Sequence, residues 1–178
     1  LSTAEGSPTS NFPLRGGKGW LYEGGIRVPY IIKTPYMKGS AGICKTPVSS
    51  TDFYPTILEL TGATLKPYQH KDGVSLVPLL KGNRVFDRGA IYFHYPHYGG
   101  KGDSPAGAIR KGDYKLIWFY EDDHIELYNL KMDISEKENL AETQKERALS
   151  LQKELQEWLC SCAAKMPVYN PDYKEIKY

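Results

Sequence analysis

Apolar and polar positions alternate most clearly in the middle of the chain. Residues 90–95, 106–111, 114–120 and 125–130 are short runs rich in Tyr, Phe, Ile, Leu and Ala, separated by Gly- and Asp-containing segments. That pattern predicts an antiparallel meander. Lys111-Gly112-Asp113 and the acidic run Glu121-Asp122-Asp123 supply two of its turns. In the third run Tyr114, Leu116, Trp118 and Tyr120 share one face, while Lys115, Ile117 and Phe119 share the other, because strand side chains alternate. Neither face is cleanly polar, so one must be covered. A helix over 143–163 provides the cover: Ala148, Leu151, Leu155, Trp158 and Cys162 recur at three and four residues, with Lys, Glu and Gln on the opposite side.

Upstream the pattern is less regular. Residues 13–29 hold five glycines and lead into an apolar run at 28–32 that suits a buried strand. Residues 49–52 offer helix N-caps, Pro55 fits a first turn, and Phe53, Ile57 and Leu60 fall on one face before Gly62. This predicts a short, packed helix. A second helical turn is expected at 75–81, closed by Gly82. The polar, aperiodic stretch 83–88 places a boundary near Asn83, dividing the chain into 1–83 and 84–178. The opening residues 2–13 read as a loop, and the chain from Lys165 as an extended surface tail.

Composition narrows the function. With 178 residues, 40% of them apolar and 12% aromatic, the chain suits one globular domain or pieces of two. The 23 Lys and Arg against 21 Asp and Glu leave a net charge of +2, too small for the footprint of a nucleic-acid binder. No apolar stretch approaches the ~18 residues of a membrane span, and no signal is visible at the N-terminus. Cys160 and Cys162 lie too close for a disulfide framework and Cys44 lacks an obvious mate, so all three read as buried or idle thiols. A chain that starts at Leu1 within a loop reads as the middle of a longer protein.

Three segments could carry chemistry. Leu14-Arg15-Gly16-Gly17-Lys18-Gly19-Trp20 puts two cations beside small residues, so a backbone can approach a phosphate or sulfate while Lys18 supplies a point charge. The same glycines also suit a plain tight turn with Lys18 in water. A nucleotide P-loop is a poor match, since Phe12 and Gly19 stand where it needs Gly and Ser or Thr. In Tyr22-Glu23-Gly24-Gly25-Ile26-Arg27 the carboxylate and guanidinium predict a structural ion pair. His94-Tyr95-Pro96-His97-Tyr98-Gly99-Gly100 could stack and hydrogen-bond a sugar, or simply pack a strand end. Two histidines with no third ligand nearby make at most half a zinc shell, so no metal ligand is assigned. His70, His124 and the acidic turn receive no role.

Taken together, PLRGGKGWLYEGGIRVP, PVSSTDFYPTILELTG and DGVSLVPLL, followed by YFHYPHYGG, GAIRKGDYKLI, ELYNL and EKENLA, resemble the sulfatase family, in particular bacterial arylsulfatase-like members of the alkaline phosphatase superfamily. The resemblance covers essentially the whole chain. It implies an α/β, alkaline-phosphatase-like fold, with 1–83 as the C-terminal portion of the large catalytic domain and 84–178 as a smaller subdomain of antiparallel strands and one helix. It implies a formylglycine nucleophile, made from a Cys/Ser-x-Pro/Ala-x-Arg motif, and a calcium ion. The motif does not occur in this sequence, so both groups are expected on residues outside the chain. The resemblance makes Lys18 the lysine that contacts the sulfate group, and Arg15, His94 and His97 possible substrate contacts.

The leading expectation is a sulfuric ester hydrolase whose substrate is a sulfated small molecule or glycan, with the missing N-terminal portion as partner and a periplasmic or secreted location implied by the family. A stand-alone carbohydrate-binding module built on the aromatic meander is one alternative, and a phosphoester hydrolase of the same superfamily another. Residues 1–82 are expected to expose apolar surface when the rest of their sheet is absent.

Overall fold

The computed structural model describes residues 10–34, 42–83, 86–99 and 103–173. The chain forms two compact units, one of Leu1–Arg27 with Tyr92–Tyr178 and one of Val28–Ile91. This division differs from the boundary expected near Asn83: the Gly-rich segment ahead of Val28 packs with the meander. Residues 84–85, most of the opening loop and Gly100 lie outside the described residues.

The first unit is built on a four-stranded sheet in sequence order, β1 (Ile91–Tyr95), β2 (Ala106–Lys111), β3 (Tyr114–Phe119) and β4 (Ile125–Asn129). The predicted meander is present, each strand end within a residue of its expected place. β2 and β3 are antiparallel with Lys111 opposite Tyr114. Gly112, at φ +57, takes the first central position of that hairpin, where a type II′ turn needs a positive φ.

The helix α1 (Glu23–Ile26) ends the Gly-rich segment. Within the other unit lie α2 (Phe53–Leu60) and α3 (Val77–Leu80). The long helix α4 (Lys145–Ser161) buries Ala148, Leu151, Leu155 and Leu159. Its stripe closes on Leu159, one turn beyond Leu155; Cys162, expected on that face, is exposed. Arg147 lies 3.9 Å over the Tyr114 ring, and Trp158 stacks on Tyr92 at 4.8 Å. The helix therefore covers the sheet face of Tyr114, where Leu116 is paired with Ile109 and Leu127, all fully buried.

The opposite face is covered as well, by the Gly-rich segment. Tyr22 joins Ala106, Ala108, Ile117, Phe119, Tyr128 and Leu130 in one apolar cluster, with Trp20 and Leu21 packed against it. A sheet with neither face cleanly polar thus has a layer on each side. All three cysteines are free and exposed, so of the two expectations, buried or idle thiols, burial does not hold.

In the second unit, Ser49 caps a 3-10 turn at Ser50–Asp52 through a capping box, and α2 follows directly. Gly62 at φ +72 and Gly82 at φ +83 end α2 and α3, as expected. Asp52, fully buried, accepts from Ser49 N at 2.7 Å, Val74 N at 3.0 Å and Arg88 Nη2 at 2.8 Å. Two expectations fail here. Phe53 is 52% exposed and Ile57 40%, while Pro55 and Thr56 are buried, so α2 packs through a different face from the one its apolar residues define. Residues 28–32 form no strand, and Val28 and Ile31 are 75% and 90% exposed, because among the described residues no strand lies beside them to complete a ladder.

Candidate functional site

The loop that carries Lys18 is closed on itself by backbone. Leu14 N donates to Asn11 O at 2.8 Å, Gly24 N to Arg15 O at 2.8 Å and Trp20 N to Gly17 O at 3.0 Å. Asn11 Nδ2 donates to Gly24 O at 3.0 Å. Gly17-Lys18-Gly19-Trp20 is a tight turn whose third residue, Gly19, sits at φ +101, a region that side chains disfavour. A Cβ on Gly24 would strike the carbonyl oxygens of Gly16 and Arg15, and one on Gly25 those of Trp20 and Gly17. The interior of this loop is therefore backbone against backbone, and Lys18 stands exposed on its apex.

Arg15 faces inward. Its guanidinium lies 3.9 Å over the Tyr22 ring and donates through Nη1 to Tyr128 Oη at 2.7 Å and to Glu136 O at 2.9 Å. Glu126 Oε2 accepts from both Tyr22 Oη at 2.7 Å and Tyr128 Oη at 2.9 Å. Burial and then the Glu126 carboxylate push both phenols far above their ordinary value, against the smaller opposing pull of Arg15. Arg15 thus clamps the loop to β4.

Beneath the loop Lys115 of β3 is fully buried, with Nζ 3.0 Å from Glu23 Oε1 and 2.5 Å from Glu136 Oε1, and it donates to Leu21 O at 3.0 Å. Glu23 N in turn donates to Glu136 Oε2 at 2.7 Å. The ion pair expected between Glu23 and Arg27 is present only at 3.9 Å with Arg27 half exposed; the principal cation of Glu23 is Lys115.

On the other flank, His94 uses both ring nitrogens, Nδ1 at 2.8 Å from Tyr120 Oη and Nε2 at 3.0 Å from Lys165 O. A carbonyl only accepts, so Nε2 carries a proton and donates to Lys165 O. His97 is exposed, edge-on to Tyr95 at 5.6 Å, and Tyr98 Oη donates to Glu121 at 2.7 Å. The link between this loop and the Lys18 turn is Asp103. It is 6% exposed, accepts Gly99 N at 3.0 Å, and its Oδ2 would lie 3.4 Å from a Cβ on Gly19. A small cavity lined by Gly19, Trp20, Asp103, Ser104 and Phe119 lies between turn and sheet.

The structure therefore brings the Lys18 turn and the His97–Gly99 loop onto one carboxylate, while Arg15 and His94 are engaged in hydrogen bonds within the unit. Sequence reasoning missed Lys115 and Asp103. A lysine between Tyr114 and Leu116 in an apolar strand was a legible sign of a buried cation, whereas Asp103 in a polar loop carried no sign. Among the described residues no group of three or more His, Cys, Asp or Glu could hold a metal.

Comparison with known proteins gives this geometry its family. Residues 16–165 match the family described as N-sulphoglucosamine sulphohydrolase, C-terminal. A sulfatase of Formosa agariphila is 36% identical, over 96% of this chain and 34% of that protein. Arylsulfatase A of Homo sapiens is 40% identical, over 60% of this chain and 20% of that protein. The solved structure of Ps i-CgsB in complex with k-i-k-neocarrahexaose superposes with a TM-score of 0.71 at 32% identity, covering 84% of this chain and 32% of that one. That of BT4656 in complex with its substrate D-glucosamine-2-N,6-O-disulfate gives 0.52 at 32% identity, covering 65% and 24%. The chain spans about a third of the length of the Formosa relative. The four-stranded sheet with its helix is the C-terminal subdomain of that alkaline-phosphatase-like fold. A match that runs from the Gly-rich loop through the meander to the end of the helix makes this chain a member of the sulfatase family.

Proposed function

We propose that the whole protein to which this chain belongs hydrolyses sulfate esters on sulfated carbohydrates, and that Lys18 contacts the sulfate group. The observation that carries this reading is the exposed Lys18 on a self-closed glycine turn, inside the segment matched to the family. A turn closed in that way fixes the backbone from which Lys18 extends, so that its charge can meet the negative charge that grows on the sulfate oxygens during transfer. The sulfated carbohydrate follows from the relatives, among them a structure holding a neocarrahexaose and one holding a glucosamine disulfate; it also favours sulfate over phosphate.

Within this reading residues 1–83 end the catalytic domain and 84–178 form the subdomain that borders the substrate. His97, exposed beside Tyr98, offers a ring to the sugar, and Arg15 and His94 act through the walls they hold. Calcium and formylglycine are assigned to the remainder of the protein as the family resemblance implies, the Cys/Ser-x-Pro/Ala-x-Arg motif not occurring in this sequence. The remainder is accordingly this chain's principal partner. A periplasmic or secreted location is inferred from the family; among the described residues no helix is long and apolar enough to cross a membrane.

The test is Lys18→Ala in the full-length protein, assayed by sulfate release from neocarra-oligosaccharides and from D-glucosamine-2-N,6-O-disulfate. Turnover should fall on the order of a hundredfold with an unchanged melting temperature. Turnover equal to wild type would remove Lys18 from the chemistry.

A further inference from the structure

Asp103 is a buried carboxylate that the reading above does not use. It sits where two loops meet: Gly99 N donates to its Oδ2 at 3.0 Å, and Gly19, next to Lys18 in the chain, lies against it, a Cβ there reaching ordinary contact at 3.4 Å from the same oxygen. A Cβ on Gly99 would collide with the carboxylate outright. Gly99 thus has no room for a side chain where Asp103 touches it, and the 6% exposure of Asp103 leaves its own side chain little room to move.

The choice of a carboxylate is informative. A neutral Asn would accept the same N–H at a lower desolvation cost, since burying a charge is more expensive than burying an amide. What the carboxylate adds is a fixed negative field under a turn whose apex bears a cation. We propose that Asp103 is a positioning residue for Lys18, holding the Gly17–Gly19 turn against the His97–Gly99 loop and keeping the lysine aimed at the sulfate group. This inference rests on the reading of Lys18 as the sulfate contact.

The experiment is a double-mutant cycle in the full-length protein, with kcat/KM for neocarra-oligosaccharide desulfation measured for wild type, Asp103→Asn, Lys18→Ala and the double variant. Residues that act as one unit give non-additive effects. Asp103→Asn should lower kcat/KM on the order of tenfold when Lys18 is present, as expected for a displaced catalytic group, and less than about twofold when Lys18 is already Ala. Should Asp103→Asn fail to fold, Gly99→Ala displaces the same carboxylate and is read through the same cycle. An equal loss in both backgrounds, or no loss from Asp103→Asn, would overturn the proposal while leaving Lys18 in place. Wild-type turnover of Lys18→Ala itself would remove the lysine reading and this inference together.

Discussion

The sheet unit and the unit around α2 are both fastened by a buried ion pair, and they differ in what surrounds it. In the sheet unit Lys115 lies between Glu23 and Glu136 with apolar layers above and below it. In the other unit Arg88 grips Asp52 through Nε at 3.0 Å and Nη2 at 2.8 Å, yet Phe53, Ile57 and Ile31 remain on the surface. An ion pair fixes geometry without closing a core; the closure comes from apolar area. The sheet unit has both, and it presents Lys18. The α2 unit has a polar fastening and leaves large apolar side chains on its surface.

The largest effect that would break this contrast comes from Lys115. Lys115→Met leaves two carboxylates buried without their cation and should destabilise the sheet unit by about 3–5 kcal/mol. Trp20, Trp118 and Trp158 are the chain's three tryptophans and all belong to that unit, so urea unfolding followed by tryptophan fluorescence reads it directly. A midpoint equal to wild type would show that the cluster contributes nothing.

Next come the apolar layers. Leu155→Ala, at a fully buried helix position, should cost about 2–5 kcal/mol. Phe53→Ala on the exposed face of α2 should change the stability of this chain by less than about 0.5 kcal/mol. Hydrogen exchange measured on both variants compares the units side by side; equal losses would erase the distinction drawn above.

The smallest effect is alkaline. Burial, with Glu154 as the next cause, pushes Tyr92 up to about 12, and burial likewise raises Tyr22, Tyr120 and Tyr128 above the ordinary 10.0. Folded values above unfolded ones mean that the unfolded chain loses these protons first. The stability is therefore whole below pH 10 and drains away as pH rises through the folded values. Urea midpoints at pH 9 and pH 11 should differ, and Tyr22→Phe should narrow the difference. A midpoint constant across that range would mean that these phenols ionise alike in both states.

Local chemistry made the meander and α4 readable. The turn at Gly112, the alternation in β3 and the three-and-four spacing of Leu151 and Leu155 each act within a few residues, and each was found where expected. Partnerships across the chain were not readable. Glu23 looked paired with Arg27, four residues away, because spacing reveals only neighbours; its principal cation stands 92 residues downstream. The run at 28–32 had a strand's composition, but a strand also needs a partner edge. Of the candidate site, Lys18 was visible through its glycines. Arg15 and His94 were visible as chemistry, yet whether a guanidinium or imidazole turns outward depends on contacts such as Tyr128 and Lys165 that lie 113 and 71 residues away.

Lys115 also has a bearing on how the sheet assembles. A strand that pairs one residue out of step exchanges its faces. For β3 that error would carry the ammonium to the side of Leu155 and Leu159 and leave Glu23 and Glu136 facing Leu116 instead. An apolar residue at 115 would blur the two alignments, since both faces of β3 are greasy. The single charge makes them unequal, so that it serves as a proofreading mark on the pairing that sets the floor beneath the Lys18 turn.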